Sequence, residues 1–315
     1  MIPFMKLKWV SVIASTVIIS AAMYYIYSQK NGFRKGIDFS GGIKLEVELN
    51  DTVTLEKLRT SFKKIKIDAI VLSAGKGYEN IAKVEIGSQD GVMLEKKAEA
   101  DAAFLNTGKY SANSIDYLKY LISNDIYGNN SNMVNFISTS HVGPTVGDYL
   151  QKSAIKLLLM TVIFITIYIT IRFQFDYAIS AMVALFHDLF MTMAFIGVFQ
   201  IPLSIPVIAA LLTILGYSIM DTVVIFDRLR ENLKKTGSNI SFQKQMDISI
   251  NETLSRSFNT SITTLISIIA IYVIADETLR HMASVLLFGI VIGTYSSNMV
   301  ASPVLVIWHQ LARKK

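Results

Sequence analysis

The chain has 315 residues, 52% hydrophobic and 17% charged, with a net charge of +6 and no cysteine. The lack of cysteine excludes disulfides, Cys-ligated zinc and thiol catalysis. The apolar excess sits at residues 9–27 and then almost continuously from 157 to 308. This is the pattern of a polytopic α-helical membrane protein with six transmembrane helices and one soluble insert, rather than of a large soluble core.

Residues 1–28 are expected to hold a cytoplasmic N-terminus and the first membrane helix. The apolar run ends in Tyr24, Tyr25 and Tyr27, an interfacial aromatic belt rather than a small-residue cleavage site, so it reads as an uncleaved span. Residues 29–148 form the insert, with equal numbers of basic and acidic side chains from Ser28 to Asp148. Ile43, Leu45, Val47 and Leu49 alternate with Lys44, Glu46 and Glu48, which predicts a half-buried strand. Leu55, Leu58, Phe62 and Ile65 keep one face of a helix whose other face carries Lys57, Arg59, Lys63 and Lys64. Strands follow at 69–73 and 81–86 around a turn at Ala74-Gly75-Lys76-Gly77, then helices at 92–105 and 114–122 and a last strand at 133–138. The order β-α-β-β-α-β predicts a ferredoxin-like α+β domain, extracytoplasmic and placed between the first two spans. Its histidine, His141, has no second metal ligand nearby in sequence.

Residues 149–308 are expected to supply five more spans, at 153–172, 177–199, 203–226, 257–275 and 282–307, with 309–315 as a cytoplasmic tail. On the cytoplasmic side of this arrangement lie Lys6, Lys8, Arg172, Arg228, Arg230, Lys234, Lys235, Lys244, Arg256, Arg313, Lys314 and Lys315. The short outer segments carry Lys152, Lys156 and Arg280. The positive-inside rule then places both termini in the cytoplasm and the domain outside.

Helical spacing gives each of four spans a polar stripe. The stripes are Ser180, Ala184, Asp188 and Thr192 with His187 adjacent; Thr213, Tyr217 and Asp221 with Ser218 beside them; Arg256, Thr260, Thr263, Thr264 and Ser267; and Thr294, Asn298 and Ser302. Beside the last runs a ridge of Gly289, Gly293, Ser297 and Ala301 that would let another helix approach closely. Lipid does not tolerate such stripes, so they must face one another or a partner subunit. The hydroxyls read as helix-packing glue. The pair His187 and Asp188 fits either a structural contact or a proton route. Asp221 is a carboxylate inside an apolar run, and the cation expected nearest to it is Arg256. The two read as a proton-coupling pair, with His187, Asp188, Tyr217, Ser218, Thr260 and Thr264 as a candidate path. No catalytic constellation, nucleotide-binding loop or metal cluster is present in the sequence, so no enzyme activity, cofactor or metal is expected.

Five motifs then point to a family. They are Gly36-Ile37-Asp38-Phe39-Ser40-Gly41-Gly42, Val142-Gly143-Pro144-Thr145-Val146-Gly147, Phe186-His187-Asp188, the stretch from Tyr217 to Arg228 around Asp221, and Asn251-Glu252-Thr253-Leu254-Ser255-Arg256-Ser257. In this order they make the chain resemble the SecF-type members of the SecD/SecF family, within the RND superfamily of proton-driven transporters. One departure is Met220, where the family pattern has asparagine. The resemblance implies six helices that pair with six from SecD beside the SecYEG channel in the inner membrane, the soluble domain being periplasmic. It implies use of the proton motive force, through the positions of Asp221 and Arg256, to promote preprotein translocation after the SecA stage. It implies contact with translocating preprotein and membrane lipid, and none with nucleic acid. Gly36, Asp38, Gly41 and Gly42 would join the first span to the domain as a hinge or as a plain tight turn. The alternative reading is an RND-type small-molecule or lipid exporter subunit, disfavoured because such exporters carry two large outside loops on twelve helices. A receptor would need a cytoplasmic output domain, and the segment 227–256 is too short for one.

Overall fold

The computed structural model describes residues 2–29, 32–48, 55–64, 67, 69–73, 81–105, 113–127, 135–236 and 240–312. The turn at 74–77, Leu49, Ile65, Met133 and the basic residues 313–315 lie outside them. Among the described residues six helices are long and apolar enough to cross a membrane. They start from α1 (Lys8–Ser28), and the soluble domain follows α1.

The domain holds α2 (Ile37–Ser40), β1 (Gly42–Glu48), α3 (Leu55–Lys64), β2 (Ala69–Ser73), β3 (Ile81–Gly87), α4 (Ser88–Ala100), α5 (Ala102–Leu105), α6 (Ser114–Tyr127) and β4 (Asn135–Val142). The strand order β2-β3-β1-β4, antiparallel throughout, is the ferredoxin-like arrangement. One sheet face follows from the alternation in the sequence. Ile43, Leu45 and Val47 of β1 and Val84 and Ile86 of β3 are fully buried against Leu58, Leu94, Phe104 and Leu118 of the helices. The other face is charged, with Lys44 3.7 Å from Glu85 and Lys83 3.8 Å from Glu46.

That charged face meets the bundle. The membrane half consists of α7 (Pro144–Arg172), α8 (Phe175–Val198), α9 (Ile205–Thr236), α10 (Phe242–Ile274), α11 (Glu277–Ser296), a π-helical segment (Ser297–Ala301) and α12 (Ser302–Ala312). Lys83 Nζ reaches Asp276 Oδ2 at 2.5 Å, and the Ser73 amide donates to Glu277 Oε2 at 2.8 Å. The motif at 36–42 makes a second seam. Gly36 N–H donates to the Leu203 carbonyl at 2.7 Å, and Leu203 N–H donates to the Arg34 carbonyl. Asp38 Oδ2 accepts the N–H of Ile205, the first residue of α9, at 2.9 Å. A carboxylate on the free amides at a helix start is favoured by the helix dipole as well as by the hydrogen bond. Two glycines here are demanded by space. Gly42 has φ +144°, and a Cβ on it would lie 1.9 Å from the Ile86 carbonyl oxygen. A Cβ on Gly147 of α7 would lie 2.8 Å from the Gly41 nitrogen.

Several elements outrun their sequence reading. α7 starts at Pro144 rather than near 153, because proline is favoured in the first helical turn and the early turns pack on α2. The polar segment between the fourth and fifth spans is not an extended loop. α9 runs on to Thr236 and α10 begins at Phe242. Ion pairs Arg228–Glu231 and Glu231–Lys235 at helical spacing, and Arg228–Glu252 between the two helices, stabilise these extensions. The N-terminal segment is also anchored. Phe4 and Met5 are buried in the cluster containing Phe173, Phe226 and Met246, and the Met5 amide donates to Asp247 Oδ1 at 2.9 Å.

Two outcomes test this assembly. Gly42→Ala is expected to destabilise the domain by more than about 1 kcal/mol, read as a lower thermal midpoint, because the backbone conformation admits no Cβ. Burial disfavours the Asp276 carboxylate, but Lys83 and the Leu279 amide hold it below the ordinary value of 3.8. A depressed carboxylate contributes stability that is present above its unfolded pKa and is lost as pH falls through its folded pKa. The domain–bundle seam should therefore loosen on acidification below pH 3.8, read by hydrogen exchange at the Ser73 amide. Lys83→Met should loosen it at neutral pH.

Candidate functional site

The interior of the bundle is organised by two carboxylates that differ in how completely they are satisfied. Asp188 of α8 is fully buried. Its Oδ1 lies 2.9 Å from His187 Nδ1. Its Oδ2 accepts from Ser218 Oγ of α9 and, at 2.7 Å, from Ser296 Oγ of α11. Donors from three helices thus meet on one carboxylate, the condition under which such a group can sit in a dry interior. His187 Nε2 is buried without a hydrogen-bond partner among the described residues, and its ring stands 6.2 Å from that of Tyr295.

Asp221 of α9 is also buried, with 4% of its surface exposed. Its Oδ1 accepts from Ser257 Oγ of α10 at 3.0 Å. Its Oδ2 is buried and has no partner among the described residues. A half-satisfied buried carboxylate is the more costly of the two.

The sequence brings these groups together through small residues. A Cβ on Gly289 of α11 would lie 2.2 Å from Ile214 Cδ1, and one on Gly293 would lie 3.1 Å from Ser218 Cβ. The two glycines let α9 and α11 approach until Ser218 and Ser296 reach the same aspartate. Below this crossing Thr222 Oγ1 and Ser297 Oγ are 2.9 Å apart, and Ser302 Oγ donates to the Ser297 carbonyl. That carbonyl is in the π-helical segment, where the regular backbone pattern is broken. Tyr217 OH lies 3.3 Å from Ser261 Oγ, which lies 2.7 Å from Thr294 Oγ1. The first span joins through Ser15 to Tyr295 OH at 3.2 Å and through Ser11 Oγ to the Met299 carbonyl.

The stripe read on the fifth span is rotated. Arg256, Thr263 and Ser267 are exposed, and the buried polar face of α10 is instead Ser249, Thr253, Ser257 and Ser261. The smaller side chains take the packed face because they permit the closer helix approach. Arg256 therefore makes no ion pair with Asp221 in this structure, and its neighbour Ser257 supplies the contact. Thr260 and Thr264 donate to carbonyls of their own helix and do not join the network. On α9, Thr213 is exposed and Met220 is 43% exposed on the outer surface of the bundle, so the departure at Met220 leaves the hydrogen bonding of Asp221 untouched. Ser257 and Ser296 were missed as site residues. Ser257 lies at four-residue spacing between Thr253 and Ser261, and Ser296 stands beside Ser297 in an apolar run, both of which are also signals of plain packing.

Residues 123–311 match the family described as protein export membrane protein SecD/SecF, C-terminal, and residues 30–53 match the SecD/SecF GG motif. The chain belongs to the SecD/SecF family. Among curated relatives, protein translocase subunit SecF of Sebaldella termitidis is 36% identical over 304 residues, 96% of this chain and 90% of that protein. SecF of Borreliella burgdorferi is 32% identical over 294 residues, 93% of each chain. Among solved structures, SecDF of Thermus thermophilus, a translocon-associated membrane protein, superposes with TM-score 0.77 at 27% identity. The match covers 98% of this chain but 38% of that one, so the chain spans well under half of the SecDF polypeptide. Family membership and the six apolar helices make the chain a multi-pass membrane protein. The GG motif of the family contains the Asp38 contact to α9, and the larger match contains both buried aspartates.

The glycine contacts give a paired test. Gly289→Val must displace Ile214 and is expected to destabilise the bundle by about 1–3 kcal/mol. Gly216, which has no neighbour within 4 Å of a built Cβ, serves as the control. Gly216→Ala should be neutral or stabilising by about 0.5–1 kcal/mol. Thermal unfolding of the detergent-solubilised protein distinguishes the two.

Proposed function

We propose that this chain is the SecF-type half of a SecD/SecF pair that uses the proton motive force to promote preprotein translocation at the SecYEG channel, after the SecA stage. Both termini lie in the cytoplasm, the α+β domain in the periplasm, and the bundle in the inner membrane. The observation that carries this reading is the contrast between the two aspartates. Asp188, met by His187, Ser218 and Ser296, acts as an anchor. Asp221, with one oxygen on Ser257 and the other unpartnered, is the group that gains and loses a proton.

The route from that proton to the outside domain is α9 itself. Asp221 lies on α9, and the first amide of α9 is held by Asp38 of the domain. The Gly36–Leu203 hydrogen bond sits immediately before that helix. A change in the packing of α9 against α10 thus reaches the domain seam through one rigid element. The exposed stripe of Arg256, Thr263 and Ser267 on α10 is the face offered to the SecD-type partner, since lipid is a poor environment for an arginine. Arg256 then acts from this interface on the charge of Asp221.

Preprotein export into vesicles under an imposed proton gradient tests the reading. Asp221→Asn should leave the chain assembled and abolish the gradient-dependent gain in export, and Arg256→Met should reduce it. An Asp221→Asn variant with the full gain rejects the proposal. So does a variant chain that fails only because it no longer assembles.

A further inference from the structure

Where the domain meets the membrane, two cavities share Lys35, Phe39 and Gln151. The upper one, about 520 Å³, lies between the domain and the start of α7 and is polar, with Arg34, Ser40, Ser88 and Gln89 among its walls. The lower one, about 220 Å³, lies among α7, α8 and α9. Apart from Lys35 and Gln151 at its mouth it is apolar, lined by Ala154, Ile155, Leu158, Met193, Ile208 and Leu211. Ile155 is 51% exposed, so the lower chamber opens sideways on the surface of the bundle, in the half of the spans nearer the domain.

The charges at the mouth select a sign. Lys35 is exposed and its ammonium donates to Gln151 Oε1 at 3.1 Å, an amide that leaves its charge uncompensated. Arg34 makes no ion pair among the described residues. Three acids also line the upper cavity, and each has a partner of its own, Glu85 with Lys44 and Asp148 with Lys152 at 2.7 Å, Asp90 likewise being engaged. Uncompensated cations over a dry chamber open to the bilayer match a ligand with an anionic head and a hydrocarbon tail.

We propose that this double cavity is a binding site for an anionic phospholipid of the domain-side leaflet. Its phosphate rests between Arg34 and Lys35, and one acyl chain enters the apolar chamber past Ile155. The lipid would then sit beside the Gly36–Leu203 seam that ties the domain to α9, because Leu203 also lines the chamber. Occupancy would fill the space under that seam and brace it. This assignment stands on the cavity and its charges alone and does not depend on the proton-coupling reading.

The test is native mass spectrometry of the full chain, co-produced with its SecD-type partner and transferred to vesicles of phosphatidylethanolamine and phosphatidylglycerol. Retained phosphatidylglycerol is expected on the native chain. Lys35→Gln should lower that retention about fivefold, the worth of one interfacial cation. Ala154→Phe, which fills the chamber, should lower it with an unchanged circular dichroism spectrum. If Ala154→Phe disturbs folding, the exposed Lys35→Gln still decides. Equal retention in native and variant chains overturns the site. So does retention of phosphatidylethanolamine equal to that of phosphatidylglycerol, displacement of the lipid by inorganic phosphate alone, or a bound polypeptide in place of lipid.

Discussion

A carboxylate at the crossing of three apolar helices must be met by donors from all of them, and Asp188 is. His187 from its own helix, Ser218 from α9 and Ser296 from α11 converge on it. Losing one donor from such a site costs about 1–3 kcal/mol, since the group cannot turn to water instead. The requirement propagates outward. Ser218 and Ser296 reach Asp188 only if α9 and α11 come close, which needs glycine at 289 and 293. The close approach brings Ser297 against Thr222, where the backbone passes into its π-helical segment. Tyr295, beside His187, in turn collects the first span through Ser15.

Against this fixed point α9 is tied differently along its length. Its start is capped by the domain at Asp38, its middle is locked at Ser218, and Asp221 one turn further has a single partner on α10. The least satisfied group therefore faces α10, the helix whose remaining polar stripe is exposed. The domain is tied to the start of the same helix through Asp38. The opposite end is clamped by Phe4 and Met5 and by the ion pairs of the helical extensions.

Much of this was legible in the chain. The β-α-β-β-α-β domain followed from alternation and helical spacing, because a half-buried sheet and its covering helices leave unambiguous periods of two and 3.6. The six spans followed from length and apolarity. Asp221 and Asp188 stood out because a carboxylate in an apolar run is expensive. The partners of those carboxylates did not stand out. Arg256 was expected at Asp221 and Ser257 is there, a difference of one residue and so about 100° of helix rotation. Which face of α10 turns inward is decided by packing against three other helices, and a stripe of threonines looks as plausible in sequence as a stripe of serines. The helical extensions of α9 and α10 run beyond the spans at 203–226 and 257–275 because apolarity marks the spans and the extensions are polar. Ion pairs across α9 and α10 hold them, and such pairing is visible only once the two helices are side by side.

The central claim is that Asp221, and not Asp188, changes protonation. Infrared difference spectroscopy of the reconstituted SecD/SecF-type complex on a pH jump isolates the carbonyl stretch of a protonated carboxylic acid. The account predicts one such band that Asp221→Asn removes and Asp188→Asn leaves in place, in a protein that still folds. A band that survives Asp221→Asn and vanishes in Asp188→Asn would contradict it.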